Sequence, residues 1–226
     1  MSLLSFYEET LKLQSHNTFQ TFLSNRNVDS CYEFLGLSTP QLLKKFEKDQ
    51  ECLESGVIYE SGYSLLKNRI IFPIVDSYGE LLAICGRGID NEEPKYFNTI
   101  YDKKFHLFGL HQCKKKILTH NYVIIVEGYM DWLRLHMHNL PVVALLSTSL
   151  SSHQYSLLLR YTDRILLCLD NDKAGIKASQ KIVAEFSCDN GILLENITLH
   201  THKDPDEFVQ NEGILEFYEL FPILLG

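Results

Sequence analysis

The sequence lacks the features that mark membrane, secreted and zinc-ribbon proteins. No uncharged run approaches the ~20 apolar residues that a membrane-spanning helix needs, and the first ten residues carry two glutamates where a signal peptide has a basic and then an apolar segment. The six cysteines form no CxxC pair and follow no regular spacing, which argues against a disulfide framework and a zinc ribbon. We therefore expect a soluble cytoplasmic protein with free thiols, no zinc and no membrane association.

Charge is unevenly distributed along the 226 residues, whose net charge is -8 and whose 45% apolar content is ample for a globular core. Residues 117–226 carry 7 basic and 14 acidic residues, a balance of -7, whereas residues 67–116 carry 9 and 6, a balance of +3. A basic strip beside an acidic half fits a polyanionic substrate handled together with cations. The alternative for the strip is an ordinary solvated surface of mixed charge.

Two apolar runs end at carboxylates. Glu127 follows the β-branched run 122–126, and residues 168–169 lead into Asp170 and Asp172, which alternate along an extended segment and so face the same side. The carboxyl edge of a parallel sheet is where open α/β folds bind ligands. We expect these three acids to share one crevice.

A third acidic group, Asp204 and Asp206, follows the short apolar run 197–199. Carboxylates that meet at one edge repel one another unless a cation lies between them, and oxygen ligands without Cys or His suit magnesium or manganese. The alternative is that each acid only caps a helix or occupies a solvated turn. Three groups at successive strand ends favour a metal site over isolated caps.

The pattern along the chain predicts a helical region from Phe6 to about Glu54 and a hairpin of strands 69–75 and 81–85. Strands alternate with helices after residue 116, which indicates a parallel sheet with crossovers. The predicted elements are strands 122–126, 142–146, 164–169 and 196–199 and helices 129–138, 152–161, 174–186 and 206–211. The fold class is α/β, with a smaller basic α+β subdomain over 1–116, the metal-binding domain over 117–213 and a C-terminal helical tail over 214–226.

Several segments resemble the catalytic core of bacterial DnaG-type primases, whose active site lies in a Toprim domain. They are Asn68-Arg69-Ile70-Ile71-Phe72-Pro73-Ile74, Gly86-Arg87, Lys95-Tyr96-Phe97-Asn98, Leu107-Phe108-Gly109-Leu110, Glu127-Gly128-Tyr129-Met130-Asp131, Asp170-Asn171-Asp172-Lys173-Ala174-Gly175 and Lys203-Asp204-Pro205-Asp206. The resemblance covers about residues 6–213. The acids are also found in topoisomerases and nucleases with this domain, whereas the basic segment 68–110 singles out primases.

The resemblance implies a DNA primase that makes short RNA primers on single-stranded DNA from ribonucleoside triphosphates, using two or more Mg²⁺ or Mn²⁺ ions. It implies that Glu127, Asp170 and Asp172 are catalytic and bind metal. Asp131, Asp204 and Asp206 would complete the metal site, and the nucleotide- and DNA-binding residues would be Arg69, Arg87, Lys95, Tyr96, Asn98 and Lys103. A helicase, or a separate zinc-binding or replication protein, is the implied partner.

The chain also departs from the family pattern. Ser147 stands where the family usually has glycine, and Asn171 and Ile176 replace a usual glycine and arginine. No zinc-binding or helicase-docking domain is recognisable, and the helical entry region is shorter than usual. We therefore expect a compact primase of a phage, plasmid or other mobile element, or else a fragment or core completed by a partner chain. The rival interpretations are a Toprim nuclease or phosphotransferase that uses the same acids with water, and a non-catalytic scaffold that binds single-stranded DNA or a replication protein.

Overall fold

The computed structural model describes residues 2–30, 32–187 and 191–221. The chain divides into two compact units, Met1–Asp102 and Lys103–Gly226. The boundary that we expected between residues 116 and 117 falls inside the helix Leu110–His120, and the division into domains stays a prediction. Within the described ranges, no helix is both long and apolar enough to cross a membrane.

The first unit joins short helices to an antiparallel sheet with the strand order β1-β2-β3-β4. Its elements are α1 (Leu3–Leu11), α2 (Asn17–Asn25), β1 (Gly36–Ser38), α3 (Pro40–Lys45), α4 (Gln50–Glu54), β2 (Arg69–Val75), β3 (Leu81–Gly88) and β4 (Tyr96–Asn98). Its core includes an edge-to-face pair of Phe6 and Phe46 with ring centroids 5.3 Å apart, packed near Leu66 and Ile84.

The predicted hairpin is confirmed, because β2 and β3 pair antiparallel from Arg69 opposite Gly88. Asp76 closes the turn by accepting backbone N–H groups of Tyr78 and Gly79, each at 2.8 Å. The prediction of a wholly helical region from Phe6 to Glu54 was wrong at β1, which pairs with β2. Three residues are too few for a readable strand pattern, and pairing with β2 determines their conformation.

The second unit is built on a parallel sheet with the strand order β6-β5-β7-β8. Its elements are a 3₁₀ turn (Lys103–Phe105), α5 (Leu110–His120), β5 (Val123–Val126), α6 (Tyr129–Met137), β6 (Val142–Ala144), α7 (Ser152–Leu158), β7 (Arg164–Leu167), α8 (Lys173–Phe186), β8 (Leu193–Asn196), α9 (Pro205–Glu212) and α10 (Ile214–Glu219). The predicted alternation of strands and helices is confirmed. The predicted tail, 214–226, begins with α10, and its residues 222–226 lie outside the described residues.

The predicted strand 196–199 was misplaced by three residues. The observed β8 pairs with β7 from Leu193 opposite Arg164 to Asn196 opposite Leu167. The backbone N–H of Leu193 donates to the carbonyl of Asp163 at 2.8 Å, so hydrogen bonding to the chain at the start of β7 fixes the start of β8. Ile197 still donates its backbone N–H to the carbonyl of Leu167 at 2.7 Å, which carries the chain along the same edge before it turns away.

The fully buried side chain of Trp132 fixes α6 against the sheet. Its Nε1 donates to the carbonyl of Val142 in β6 at 3.0 Å. Gly109 lies against the indole with a φ of +80°, and a Cβ there would lie 1.8 Å from Nε1. Only glycine fits this position, and α6 is thereby held where it begins, just after Glu127.

Candidate active site

Glu127 lies immediately after β5 and is half-buried. Its Oε2 is buried and has no hydrogen-bond partner among the described residues. The pKa of Glu127 is raised to about 7, first by burial and then by the like charges of Asp170 and Asp172, while Lys203 opposes the rise. The side chain therefore lies within electrostatic reach of both other predicted catalytic acids.

Asp170 and Asp172 occupy the turn between β7 and α8, as their position after a buried strand predicts. Asp172 caps α8, since its Oδ1 accepts the backbone N–H groups of Ala174 at 2.8 Å and Gly175 at 2.9 Å. The capping role that we held as the alternative is thus present at Asp172. It does not exclude metal binding, because one carboxylate can accept helix N–H groups and still lie beside other acids.

Asn171 fastens the same turn to the segment that precedes α9. Its backbone N–H donates to Lys203 O at 2.6 Å, and its Nδ2 donates to the carbonyls of His200 at 2.8 Å and His202 at 3.1 Å. A glycine could not make the side-chain bonds. The residue that departs from the family pattern therefore ties the second acidic group to the third.

The remaining acids form more hydrogen bonds than the sequence suggested. Asp131 is buried and accepts two backbone N–H groups, from Gly128 at Oδ2 (3.1 Å) and from Asp206 at Oδ1 (3.2 Å). Burial raises the pKa of Asp131 to about 8, with further contributions from Asp204 and Asp170. Asp204 caps α9 by accepting the N–H of Glu207 at 2.8 Å.

Asp206 is buried and pairs with Arg134, a residue that the sequence analysis did not single out. Arg134 Nε donates to Asp206 Oδ1 at 2.8 Å, and their side chains are 5% and 9% exposed. One signal was available, because Arg134 lies three residues after Asp131 on a helix and so falls on the same face. The sequence gives no sign that Asp206, 72 residues away, is its partner.

Carboxylates are suitable ligands for a divalent cation, although these acids are not arranged around a common metal position. No group of three or more His, Cys, Asp or Glu side chains in the described part of the chain is arranged to hold a metal ion. The unbonded Oε2 of Glu127 and the mutual repulsion of Glu127, Asp170 and Asp172 are nevertheless what a cation would relieve. The metal-ligand roles of all six acids stay predictions.

Lys103 is exposed, and its side chain contacts the segment that follows β6 in the same unit. Its Nζ donates to the carbonyl of Leu146 at 3.3 Å, and the N–H of Leu146 donates to the carbonyl of Glu127 at 3.0 Å. Leu146 has a φ of +56°, a left-handed conformation that is rare for leucine and is sustained by the surrounding contacts. This chain of bonds links a predicted nucleotide-binding lysine to the backbone of a predicted catalytic acid.

The predicted binding residues of the first unit separate into buried and accessible groups. Arg69 and Arg87 are each only 2% exposed. Arg69 Nη1 donates to the carbonyls of Gly86 at 3.1 Å and Lys95 at 3.3 Å, which holds β3 and the start of β4 in place. Small neighbours predicted that Arg87 would be open to phosphate, but its guanidinium is instead 5.0 Å from the ring centroid of Phe22.

Tyr96 lies near two cations. Its ring centroid is 5.7 Å from the guanidinium of Arg87 and 5.8 Å from the ammonium of Lys95. Lys95 is exposed, and Tyr96 and Asn98 are half-buried on β4. The accessible positive charge next to this ring therefore comes from Lys95.

Two family descriptions of known proteins together match most of the chain. The family description "DNA primase catalytic core, N-terminal domain" matches residues 6–114, and a Toprim-like family matches residues 124–209. A DNA primase of Clostridium acetobutylicum is 36% identical over 181 residues, and one of Legionella pneumophila is 35% identical over 192 residues. The aligned parts are 75% and 79% of this chain but only 30% and 33% of those relatives, so the chain spans about a third of their length.

Solved structures agree with this comparison. The DnaG catalytic core superposes with a TM-score of 0.86 at 28% identity over 97% of this chain and 76% of that one. The zinc-binding and RNA polymerase domains of the Aquifex aeolicus primase give 0.82 at 29% identity over 96% of this chain and 57% of that one. A DnaG primase catalytic domain bound to single-stranded DNA gives 0.82 at 27% identity over 97% and 75%.

Proposed function

Because the chain belongs to the family of DnaG-type primase catalytic cores, we propose that it is a DNA-dependent RNA polymerase that makes short RNA primers on single-stranded DNA. The observation that carries the proposal is the group of carboxylates that follows β5 and β7. There the buried Oε2 of Glu127 has no hydrogen bond within the described residues, and Asp170 and Asp172 repel its charge.

We propose Glu127, Asp170 and Asp172 as the residues that hold Mg²⁺ or Mn²⁺ and as the catalytic acids. Bound there, the ions would lower the pKa of an attacking 3′-hydroxyl and neutralise the triphosphate with its pyrophosphate leaving group. The raised pKa of Glu127 means that the free protein keeps a proton on this carboxyl up to about neutral pH. Binding of a cation therefore competes with that proton.

The chain's own cations would orient the nucleic acid and the nucleotide. The exposed ammonium of Lys95 beside Tyr96 suits a phosphate contact next to a ring on which a base can stack. Lys103 supplies a second exposed ammonium, held at the carbonyl of Leu146. Arg69 and Arg87, being buried, would support Lys95 and Tyr96 within the first unit, and Asn98 would contribute an amide on β4.

The partners follow from this activity. One of the solved structures is of a DnaG primase catalytic domain bound to single-stranded DNA, and we propose the same template for this chain together with ribonucleoside triphosphates. We place the activity in the cytoplasm, where both are found. A helicase, or a separate protein that binds zinc, remains the proposed partner for choosing and reaching start sites.

A labelled-nucleotide assay tests the proposal. Single-stranded DNA, four ribonucleotides and Mg²⁺ or Mn²⁺ should yield short oligoribonucleotides with the parent chain, and Glu127→Gln should abolish them while the circular dichroism spectrum is unchanged. Glu185→Gln is the matched control, since Glu185 is an exposed glutamate on α8.

Each rival function predicts a different result in the same assay, run alone and with proteins of the same replication locus. DNA cleavage without synthesis would indicate a nuclease. Binding of DNA or of a replication protein with neither activity in both settings would indicate a scaffold.

A further inference from the structure

Arg134 and Asp206 form a buried ion pair between α6 and α9. The Nε of Arg134 donates to Asp206 Oδ1 at 2.8 Å, and both side chains are almost fully excluded from solvent, at 5% and 9% exposure. Arginine cannot be deprotonated in a protein, so its positive charge is permanent. The carboxylate of Asp206 therefore has a fixed counter-ion supplied by the chain itself.

Asp131 connects the same two helices through backbone N–H groups. Its two oxygens accept the N–H of Gly128, at the start of α6, and the N–H of Asp206, in the first turn of α9. We call Asp131, Arg134 and Asp206 the acidic junction. Each of its carboxylates is committed to a named donor of the protein.

Glu127 differs in this respect, because its Oε2 is buried and makes no hydrogen bond within the described ranges. Charge repulsion at Glu127 comes from Asp170 and Asp172, and Lys203 opposes it. Asp206 thus has a guanidinium as its counter-ion, whereas Glu127 has a buried oxygen without a hydrogen bond within the described ranges and lies near the like charges of Asp170 and Asp172.

We propose that Arg134 is a built-in cation that neutralises Asp206 and so excludes Asp206 from the divalent-cation site of Glu127, Asp170 and Asp172. This rests on the proposed function, because it refines the metal site of that function. A divalent ion that approached Asp206 would face the fixed positive charge of Arg134 and would have to break its hydrogen bond. Asp206 then has a structural role, although its sequence position suggests a ligand.

Removing both members of the pair tests the proposal directly. Replacing a buried ion pair by apolar residues is often neutral or stabilising, so Arg134→Leu with Asp206→Leu is the variant expected to fold. Calorimetric titration with Mn²⁺ should give the parent's stoichiometry and a Kd within about threefold of the parent's. Loss of one equivalent of Mn²⁺, or a Kd more than about tenfold weaker, would make Asp206 a ligand and overturn the inference.

Removing the guanidinium alone tests whether Arg134 prevents Asp206 from binding a cation. Arg134→Gln leaves Asp206 buried without its counter-ion. This variant should therefore gain Mn²⁺ binding, as one added equivalent or as a Kd at least about tenfold tighter. Arg134→Lys keeps the positive charge and should show no gain. A folded Arg134→Gln that binds Mn²⁺ as the parent does would contradict the proposal. Arg160→Gln removes an exposed arginine of the same unit and controls for net charge. If Arg134→Gln does not fold, the variant with Arg134→Leu and Asp206→Leu decides whether Asp206 is a metal ligand.

The titrations also separate this inference from the proposed function. A parent that binds no Mn²⁺ overturns the proposed metal site and the inference with it. A parent whose binding is lost in Glu127→Gln and also in the double-leucine variant keeps the metal site and overturns only the role of Arg134.

Discussion

A Cβ atom on Gly175 would lie 2.0 Å from the carbonyl oxygen of Asp170. Helix α8 therefore begins against the backbone of the acidic turn, which only a residue without a side chain permits. The clash would be with backbone, so no side-chain rotation can relieve it. This close approach gives Gly175 a specific reason to be glycine and links it to a candidate metal ligand.

We expect Gly175→Ala to displace the Asp170 turn. The free energy of unfolding should fall by about 1–3 kcal/mol or more, because overpacked sites relax only by moving their surroundings. Affinity for Mn²⁺ should fall as well, since Asp170 moves relative to Glu127. Lys177→Ala, an exposed change in the same helix, should alter neither quantity. Denaturant unfolding and Mn²⁺ titration of the two variants measure both effects.

The parallel sheet was predictable because its central strands are apolar, and β5 consists entirely of β-branched residues. Val123–Val126 is such a strand and is entirely buried, and Glu127 at its end was predicted from the same run. The edge strand Leu193–Asn196 is only partly buried and has no β-branched residue, whereas Ile-Thr-Leu just after it has a stronger strand pattern. The prediction followed local propensity, and pairing with β7 determined the real position.

The sequence predicted the acids at the strand ends of the candidate site. It did not predict which distant residues would contact Arg87 and Arg134. Composition shows that Arg87 and Arg134 are charged, but whether a charge is buried depends on residues distant in the sequence. Phe22 covers Arg87 from 65 positions away, and Asp206 meets Arg134 from 72 positions away. Neither partner follows from spacing along one helix or strand.

Removing the charge of Glu127 should stabilise the protein in the absence of metal. The pKa of this acid is raised to about 7, so stability attributable to it is fully present at low pH and is lost as pH rises from about 4.5 to about 7. Glu127→Gln should therefore raise the melting temperature at pH 8 more than at pH 5. Mn²⁺ should raise the parent's melting temperature at pH 8 and leave that of the variant unchanged. Equal responses to Mn²⁺ in both proteins would remove Glu127 from the metal site.

Lys95 and Arg87 should behave differently although both lie beside Tyr96. Lys95→Ala should weaken binding to single-stranded DNA, reduce the salt slope by about 0.7 for one phosphate contact and leave stability unchanged. Arg87→Ala should lower the free energy of unfolding by about 2 kcal/mol or more, because the side chain is buried against Phe22. Lys48→Ala removes an exposed lysine of the same unit and serves as control. Binding isotherms at several salt concentrations give the slopes, and an unchanged slope in Lys95→Ala would place that residue off the phosphate path.

His136 should make the protein sensitive to acid. Burial lowers its pKa to about 4, with a contribution from Lys116, and the ring stacks on Trp132 at 4.5 Å with Nδ1 3.4 Å from Cys113 Sγ. The unfolded chain binds a proton near the ordinary histidine pKa of about 6.5, so the contribution is present above that pH and is lost as pH falls toward 4. His136→Phe keeps the stacking and should flatten the fall in melting temperature across this window. An identical pH profile in the variant would mean that the ring charges without cost in the folded state.

Gln154 should position Lys103 for its proposed contact with the nucleotide. The buried carboxamide donates to the carbonyls of Lys103 at 3.0 Å and His106 at 2.8 Å, and its Oε1 accepts the N–H of Ser151 at 2.9 Å, which fastens the 3₁₀ turn to α7. Gln154→Ala leaves these groups unsatisfied and should lower the free energy of unfolding by about 1–3 kcal/mol.

If Gln154 positions Lys103, the KM for ribonucleotides in primer synthesis should rise more than kcat falls, because the ammonium is no longer held at Leu146. Ser156→Ala changes an exposed residue of the same helix and should affect neither constant. Loss of stability with an unchanged KM would show that the turn is only structural. A raised KM in Gln154→Ala that Lys103→Ala reproduces, with no further rise when the two are combined, would show that Gln154 acts through Lys103, since residues that act as one unit are not additive.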